Sequence, residues 1–282
     1  MVLENKLKEP LDDIILWVDG LLNSVFGAIT VREIRTELFN LRNEVDKLNG
    51  VVTPLATTAS IPRAWPGINL AHQYAVTLQN VVNSYTNRLP EQYADKLTTM
   101  QTRVLGQITD AATQASENGH RLKYYLRFAP LRYAPDQTTL EVNALIDPLK
   151  DAKISRNADK TLHIYANREH ITWVLNELIT NANRFSSRGG VNVHYDLSLE
   201  FGILNREDTL SIYVTDHGPG TSGYIYPHIF DAFYQADPKT PGIGIGLTLA
   251  KHLIELNGGE LRFESNADDG TTAEIIMPIA IN

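Results

Sequence analysis

The sequence has no cysteine in its 282 residues. Disulfides, thiolate nucleophiles and cysteine-based zinc sites are thereby excluded, and a reducing compartment such as the cytoplasm suits the chain. Basic residues are outnumbered: 25 Lys and Arg stand against 33 Asp and Glu, a formal net charge of −8. That balance argues against nucleic acid or an anionic lipid surface as the main partner, because both attract basic patches. Long apolar runs are also missing. The most apolar early stretch, Ile14 to Ile29, holds Asp19, Asn23 and two glycines. It is too short and too polar to span a bilayer, and no basic segment precedes it as in a secretory signal. The expectation is a soluble, cytoplasmic chain with no membrane span.

What is present is ordinary globular composition, 43% hydrophobic and 21% charged, enough to bury real cores. Over residues 11–29, Leu11, Ile14, Ile15, Val18, Leu21, Leu22, Val25 and Phe26 share one helical face, which reads as a packing helix. Val31, Ile34, Leu38, Leu41, Val45, Leu48 and Val52 follow at alternating spacings of three and four. This is a short heptad seam, open to a two-stranded coiled coil or to packing on a neighbouring helix. Gly50 and Pro54 are expected to end it, and residues 53–67, with three prolines, read as a linker. Two further stripes, Leu70 to Leu89 and Tyr93 to Leu122, have helical spacing and a short connection. They predict an antiparallel hairpin. One stripe per helix leaves apolar surface over, and two hairpins paired as a four-helix bundle would bury it, so a homodimer is expected.

From about residue 150 the period changes. Strands are predicted at Leu162–Tyr165, Val191–Leu197, Leu210–Thr215, Glu260–Glu264 and Ala273–Pro278, and helices at Arg168–Phe185 and Ile245–Leu256. The fold class is α+β: N-terminal helices, then a two-layer α/β sandwich with helices on one face of a sheet. The boundaries fall at 1–67 (helices, seam and linker), 68–148 (hairpin) and 149–282 (α/β domain).

Three segments carry chemistry. In the first, Glu177 and Asn181 are four apart on one helix face. A carboxylate and a carboxamide aimed together into a cleft can hold magnesium and position a proton acceptor, whereas such a pair alone is more often a solvated stripe. In the second, Asp216 ends a strand and Gly218 and Gly220 follow. A strand end can deliver the carboxylate to an exocyclic amine such as that of adenine; the plainer reading is a turn. In the third, Gly242, Gly244 and Gly246 alternate into a helix. Main-chain N–H groups at a helix N-terminus attract phosphate. The spacing is neither a P-loop nor a Rossmann fingerprint.

Taken in order, these segments give residues 150–282 a resemblance to the ATPase domain shared by histidine kinases, gyrase, Hsp90 and MutL, with histidine kinases the nearest in pattern. Glu177-Leu-Ile-Thr-Asn181-Ala-Asn-Arg184-Phe185 resembles their N box, and Asp216-His-Gly218-Pro-Gly220 their G1 box. Ile229-Phe-Asp-Ala-Phe233 resembles the F box, Gly242-Ile-Gly244-Ile-Gly246-Leu the G2 box, and Gly270-Thr271-Thr272 to Pro278 the closing strand. The resemblance implies an ATP-dependent protein histidine kinase of two-component signalling, with ATP and Mg²⁺ as cofactors. It gives Asn181 the metal, Glu177 the place of a general base or polar helper, and Arg184 a position near the phosphates. Asp216 would read adenine, with Gly218 and Gly220 shaping that pocket. Gly242, Gly244 and Gly246 would border the lid and phosphates. Thr271 or Thr272 would support Asp216 through water, and Phe230 and Phe233 would anchor a short lid, Tyr234 to Thr240.

Such a kinase needs an acceptor histidine on a paired helix. The best candidate is His72, in Ala71-His72-Gln73-Tyr-Ala-Val76, which partly resembles the family's A-H-E-x-x-N-P-L. Gln73 stands where a carboxylate would accept the imidazole proton, and a neutral amide cannot do so. His120 lies in the second hairpin helix and reads as outside that layout. The resemblance implies transfer from His72 to an aspartate of a response-regulator receiver domain. Two alternatives stay open: a dimeric adaptor or phosphotransfer scaffold that only binds ATP, and a serine kinase of the mitochondrial dehydrogenase-kinase type, which needs no acceptor histidine.

Overall fold

The computed structural model describes residues 2–59, 65–129, 136–149, 153–154, 162–185, 194–195, 197–200, 209–220, 225–237, 242–266 and 270–280. The chain divides into two compact units, Met1–Pro130 with Asp237–Ile243, and Leu131–Ala236 with Gly244–Asn282.

The first unit is helical: α1 (Val2–Leu22), α2 (Arg32–Ala59), α3 (Trp65–Thr86), the short α4 (Arg88–Gln92) and α5 (Thr99–Phe128). Each long helix packs on two others. α1 lies against α2 and α5, and α3 lies against α2 and α5, so four helices close around one core. That core is built from Leu7, Leu11, Ile14 and Val18 of α1, Leu38, Leu41, Val45 and Val52 of α2, Tyr74 and Leu78 of α3, and Val104, Ile108 and Leu122 of α5, all buried. Burial of this kind is worth roughly 1.5–3 kcal/mol per large side chain. Polar ties fix the register. The buried Tyr74 hydroxyl donates to the Leu7 carbonyl at 2.7 Å, and Ser116 Oγ donates to the Ala75 carbonyl at 3.0 Å. α5 opens with a capping box, Thr98 accepting from the Gln101 N–H while the Gln101 side chain accepts from the Thr98 N–H.

Three expectations bear on this unit. Of the two arrangements open to the seam, Ile34 to Val52 take packing on neighbouring helices, here α1 and α3 of the same chain. α2 does not stop at Pro54 but runs to Ala59. An internal proline costs about 3 kcal/mol, and burial of Val52 and Leu55 on either side of it offsets that. The rest of the expected linker to residue 64 lies outside the described residues. Finally, α1 and α2 of the same chain pack on the hairpin of α3 and α5, and the homodimer remains an expectation.

The second unit holds a two-stranded antiparallel pair, β1 (Thr138–Glu141) with β3 (His163–Ala166), and the short α6 (Val142–Ile146). The larger sheet contains β2 (Lys153–Ile154), β4 (His194–Tyr195), β5 (Leu197–Glu200), β6 (Thr209–Asp216), β7 (Glu260–Asn266) and β8 (Gly270–Pro278), in the order β2-β4-β6-β8-β7 with β5 also on β6. α7 (Arg168–Phe185) packs on β6, and α8 (Gly246–Leu256) on β7 and α7. Alternation explains β6: Leu210, Ile212 and Val214 are buried on one face. Residues 191–193 of the predicted second strand lie outside the described residues.

One side chain joins the two helices of this layer. Asn257, just past α8, accepts the Asn167 N–H at 2.7 Å and donates to the Leu253 carbonyl at 2.7 Å. Asn167 in turn accepts the His170 N–H at 3.0 Å, the geometry of a helix N-cap. Its main-chain N–H and side chain thus couple the end of α8 to the start of α7.

Candidate functional site

The candidate residues fall at the paired ends of β6 and β8 and on α7 and α8, with α7 packed on β6 and on α8. The antiparallel register of β6 and β8 sets Asp216 opposite Thr271. Asp216 is buried, 8% exposed, and one carboxylate oxygen accepts the N–H of Gly218 at 2.9 Å and of Thr271 at 3.2 Å. Burial pushes the Asp216 carboxyl above its ordinary range, and the two N–H donors and nearby His217 counter this only in part. A carboxylate kept in a dry wall, with capacity to accept further bonds, suits recognition of a neutral amine donor.

The resemblance implies that Thr271 or Thr272 supports Asp216 through water. In the structure Thr271 does so directly, through its main-chain N–H. Its hydroxyl meets Ser265 at 3.0 Å, and that of Thr272 meets Thr215 at 3.0 Å. Gly270, named in the sequence only as the head of the closing strand, has a specific task here. Its φ is +87°, and a Cβ there would stand 2.0 Å from the Asp216 carbonyl oxygen, so only glycine lets the β6 and β8 ends close on each other. Its place at the head of a Thr-Thr strand was the available signal.

α7 carries the second group. Glu177 is buried and Asn181, one turn on, is half-buried, as is Arg184 in the last turn. The Glu177 carboxylate is turned to the first residue of α8: a Cβ on Gly246 would lie 2.1 Å from Oε1. No side chain caps that helix start, whose exposed N–H groups favour negative charge. The three glycines therefore have separate tasks. Gly246 makes room for Glu177. Gly244, at φ +69°, would place a Cβ 2.4 Å from the Tyr234 carbonyl oxygen, and its own carbonyl accepts the Phe233 N–H at 2.6 Å. Gly242, with φ +121°, and Gly220, with φ +68°, turn the chain. The F-box residues are thus tied to the glycine segment by main chain. Phe230 meets Phe263 edge to face at 5.5 Å, with Lys251 Nζ 4.7 Å from its ring centre. Lid residues 238–240 lie outside the described residues.

The acceptor candidate belongs to the helical unit. His72 is exposed on α3. Lys123 Nζ on α5 stands 3.4 Å from its Nδ1, and the His120 ring centre is 6.5 Å away. His120, set aside by the sequence reading, is therefore a neighbour of His72. Burial, Lys123 and His72 together lower its titration below the usual histidine value.

Among the described residues, no group of three or more His, Asp or Glu side chains is arranged to hold a metal, and no helix is long and apolar enough to cross a membrane. Magnesium keeps waters and substrate phosphates and takes few protein ligands; Glu177 and Asn181 offer it oxygen donors one turn apart on α7.

Residues 166–281 match the family described as histidine kinase-, DNA gyrase B-, and HSP90-like ATPase. The sensory histidine kinase/phosphatase NtrB of Rhizobium leguminosarum bv. phaseoli is 24% identical over 282 residues, covering 93% of this chain and 68% of that protein. Sensor histidine kinase WalK of Bacillus subtilis (strain 168) is 32% identical over 124 residues, 43% of this chain and only 20% of WalK. Among solved structures, full-length ShkA in complex with AMPPNP is similar with a TM-score of 0.57 at 20% identity, over 76% of this chain and 45% of that one. At that identity the likeness is one of fold.

Proposed function

From the premise that this chain carries a histidine kinase catalytic core around an ATP-binding domain, we propose that it binds Mg-ATP, phosphorylates its own His72 and passes the phosphoryl group to an aspartate of a response-regulator receiver domain. The observation that carries the ATP half is Asp216, a buried carboxylate held by the Gly218 and Thr271 N–H groups at the strand end, with the Gly246 helix start and Glu177 on the adjoining helices.

Phosphoryl transfer asks little covalent work of a protein; it needs alignment and neutralised charge. Asp216 accepts from the adenine amine and fixes the nucleotide's orientation. Main-chain N–H groups at the start of α8 and Arg184 receive the phosphates. Magnesium, when bound, neutralises charge on the phosphate oxygens, and Asn181 would hold it, with Glu177 one turn away. The His72 lone pair forms a bond to the γ-phosphorus, the bond from that phosphorus to the bridging oxygen breaks, and ADP leaves with the electron pair. Gln73 cannot take the imidazole proton, so the proton goes to solvent, which the exposed ring reaches. In the second step a receiver carboxylate attacks the phosphorus and the imidazole leaves.

The test is incubation with Mg-ATP labelled at the γ-phosphate. Acid-labile, alkali-stable label that survives in His120→Ala and vanishes in His72→Ala supports the reading. Absence of label, with nucleotide still bound, overturns autophosphorylation at His72.

A second reading has one observation in its favour. Gln73 beside His72, on a helical unit closed within one chain, suits a kinase that phosphorylates serine on another protein. Label on an added protein and none on the chain would support it.

A further inference from the structure

His72 and Lys123 meet because α3 and α5 approach closely beside them. A Cβ on Gly119 would stand 2.8 Å from Tyr74 Cδ1, 2.9 Å from Ala75 Cβ and 3.2 Å from the Ala71 carbonyl oxygen. One turn earlier, Ser116 Oγ donates to the Ala75 carbonyl at 3.0 Å. The contact thus brackets His72 on α3. On α5, Lys123 lies one turn beyond Gly119, on the same side of the helix. His72 is exposed and Lys123 half-buried, so the lysine stem rests on the bundle while its ammonium reaches the ring edge. Nζ stands 3.4 Å from Nδ1, which is the polar contact of Lys123 among the described residues.

The direction of that contact follows from the groups. An ammonium donates and has no acceptor. Nδ1 of His72 is therefore the acceptor, and the proton of the neutral ring is on Nε2. A neutral imidazole has one in-plane lone pair, and Lys123 sits on it. Nδ1 is occupied and Nε2 is protonated, so neither nitrogen is ready to attack. Gln73, the next residue, is an amide and cannot take a proton from the ring to free it.

We propose that Lys123 is a positioning residue that holds the His72 lone pair and keeps the ring unreactive until the ammonium withdraws. Its consequence for phosphoryl transfer rests on the function proposed above. The transfer step itself is unchanged; Lys123 decides whether the attacking lone pair is free. A lysine side chain changes rotamer without moving either helix, so the brake releases locally.

The experiment takes the whole chain. Diethyl pyrocarbonate acylates histidine through its free lone pair, and peptide mass spectrometry reads each position, with the exposed His228 of the other unit as internal standard. Lys123→Met keeps the stem and removes the ammonium. The reaction is run two pH units above the ordinary histidine value of about 6.5. His72 is expected to react about fivefold faster in Lys123→Met, the fold-change of one modest hydrogen bond, and at the wild-type rate in Lys123→Arg. Long-range proton–nitrogen NMR spectra, assigned with His72→Ala, are expected to place the ring proton on Nε2 in the wild type and on Nδ1 in Lys123→Glu, whose carboxylate accepts it. No acceleration in Lys123→Met, or the same tautomer in the wild type and Lys123→Glu, overturns the inference. Labelling from Mg-ATP separates it from the kinase reading. Faster acylation in Lys123→Met with no label in any variant sinks the kinase and leaves the role of Lys123 standing. Label on His72 with acylation unchanged in Lys123→Met sinks the role of Lys123 and leaves the kinase. Label and acylation that quicken together in Lys123→Met support both.

Discussion

The carboxylate of Glu177 occupies the space that a side chain on Gly246 would need: a Cβ there would stand 2.1 Å from Oε1 and 2.8 Å from Cδ. The N-box helix and the helix opened by the glycine segment are thus fitted to each other through one acidic residue and one missing methyl group. Gly246→Ala should move Glu177 or the start of α8 and lower Mg-ATP affinity at least tenfold, ~1.4 kcal/mol, by calorimetry. Adding Glu177→Ala to it should recover part of the lost thermal stability. Losses that simply add in the double variant would show that the two residues are uncoupled.

Glu177→Gln keeps the shape and removes the charge. If Glu177 assists proton movement or aligns the attack, Mg-ATP affinity should change little while label incorporation slows by about 10²-fold or more, the usual size of a general acid–base contribution. Single-turnover labelling at saturating nucleotide separates the two. Equal losses in binding and rate would reduce Glu177 to a packing residue.

Asp216 sets function against stability. In the fold its carboxyl titrates above the ordinary value, mainly because it is buried. A raised carboxyl contributes stability that is fully present below the unfolded-chain value of 3.8 and is lost as pH rises through the folded one. Asp216→Asn, whose side-chain oxygen can still accept from Gly218 and Thr271, removes the cost of the buried charge. The variant should melt higher than the wild type at pH 7–8, with the gap closing toward pH 4, and its ATP affinity should fall more than tenfold. A variant that melts lower at neutral pH would contradict the sign.

Because Thr271 holds Asp216 by main chain, Thr271→Val should leave nucleotide affinity within about threefold, less than ~0.7 kcal/mol. Gly270→Ala, at φ +87° with a Cβ 2.0 Å from the Asp216 carbonyl, should cost roughly 2 kcal/mol or more through strain and clash. Denaturant unfolding of both variants, beside ATP titrations, tests this. A large affinity loss in Thr271→Val would restore the hydroxyl to the site.

Tyr74→Phe removes a buried donor and leaves the Leu7 carbonyl without it. The expected cost is about 1–3 kcal/mol, read as a lower unfolding midpoint of the helical unit, with Mg-ATP affinity unchanged. An unchanged midpoint would mean that the Tyr74 hydroxyl does not hold the Leu7 carbonyl in solution.

Much of the catalytic layer was legible because its signals are local. Helix α7 starts and ends where the 3.6-residue period does, and strands β6, β7 and β8 fall within a few residues of their alternating runs. Asp216, Gly218 and Gly220 could be singled out because a strand followed by an acid and two glycines is written in adjacent residues. The end of α2 was misread for the complementary reason. Pro54 is a local stop signal, and it was overruled by burial of Val52 and Leu55, which depends on where other helices lie.

By itself the sequence determined the order of helices and strands, the helical and α/β division, and which acidic, amide and glycine positions are candidates for the site, since each depends on periodicity or on residues a few places apart. Only the tertiary structure decided that the two helical hairpins share one chain's core, that His120 and Lys123 neighbour His72, that the Thr271 N–H reaches Asp216, and that Gly246 stands against Glu177 and Gly270 against the Asp216 carbonyl. Those relationships join residues tens of positions apart. They are set by which faces pack together and how closely backbones approach, and no local pattern records either.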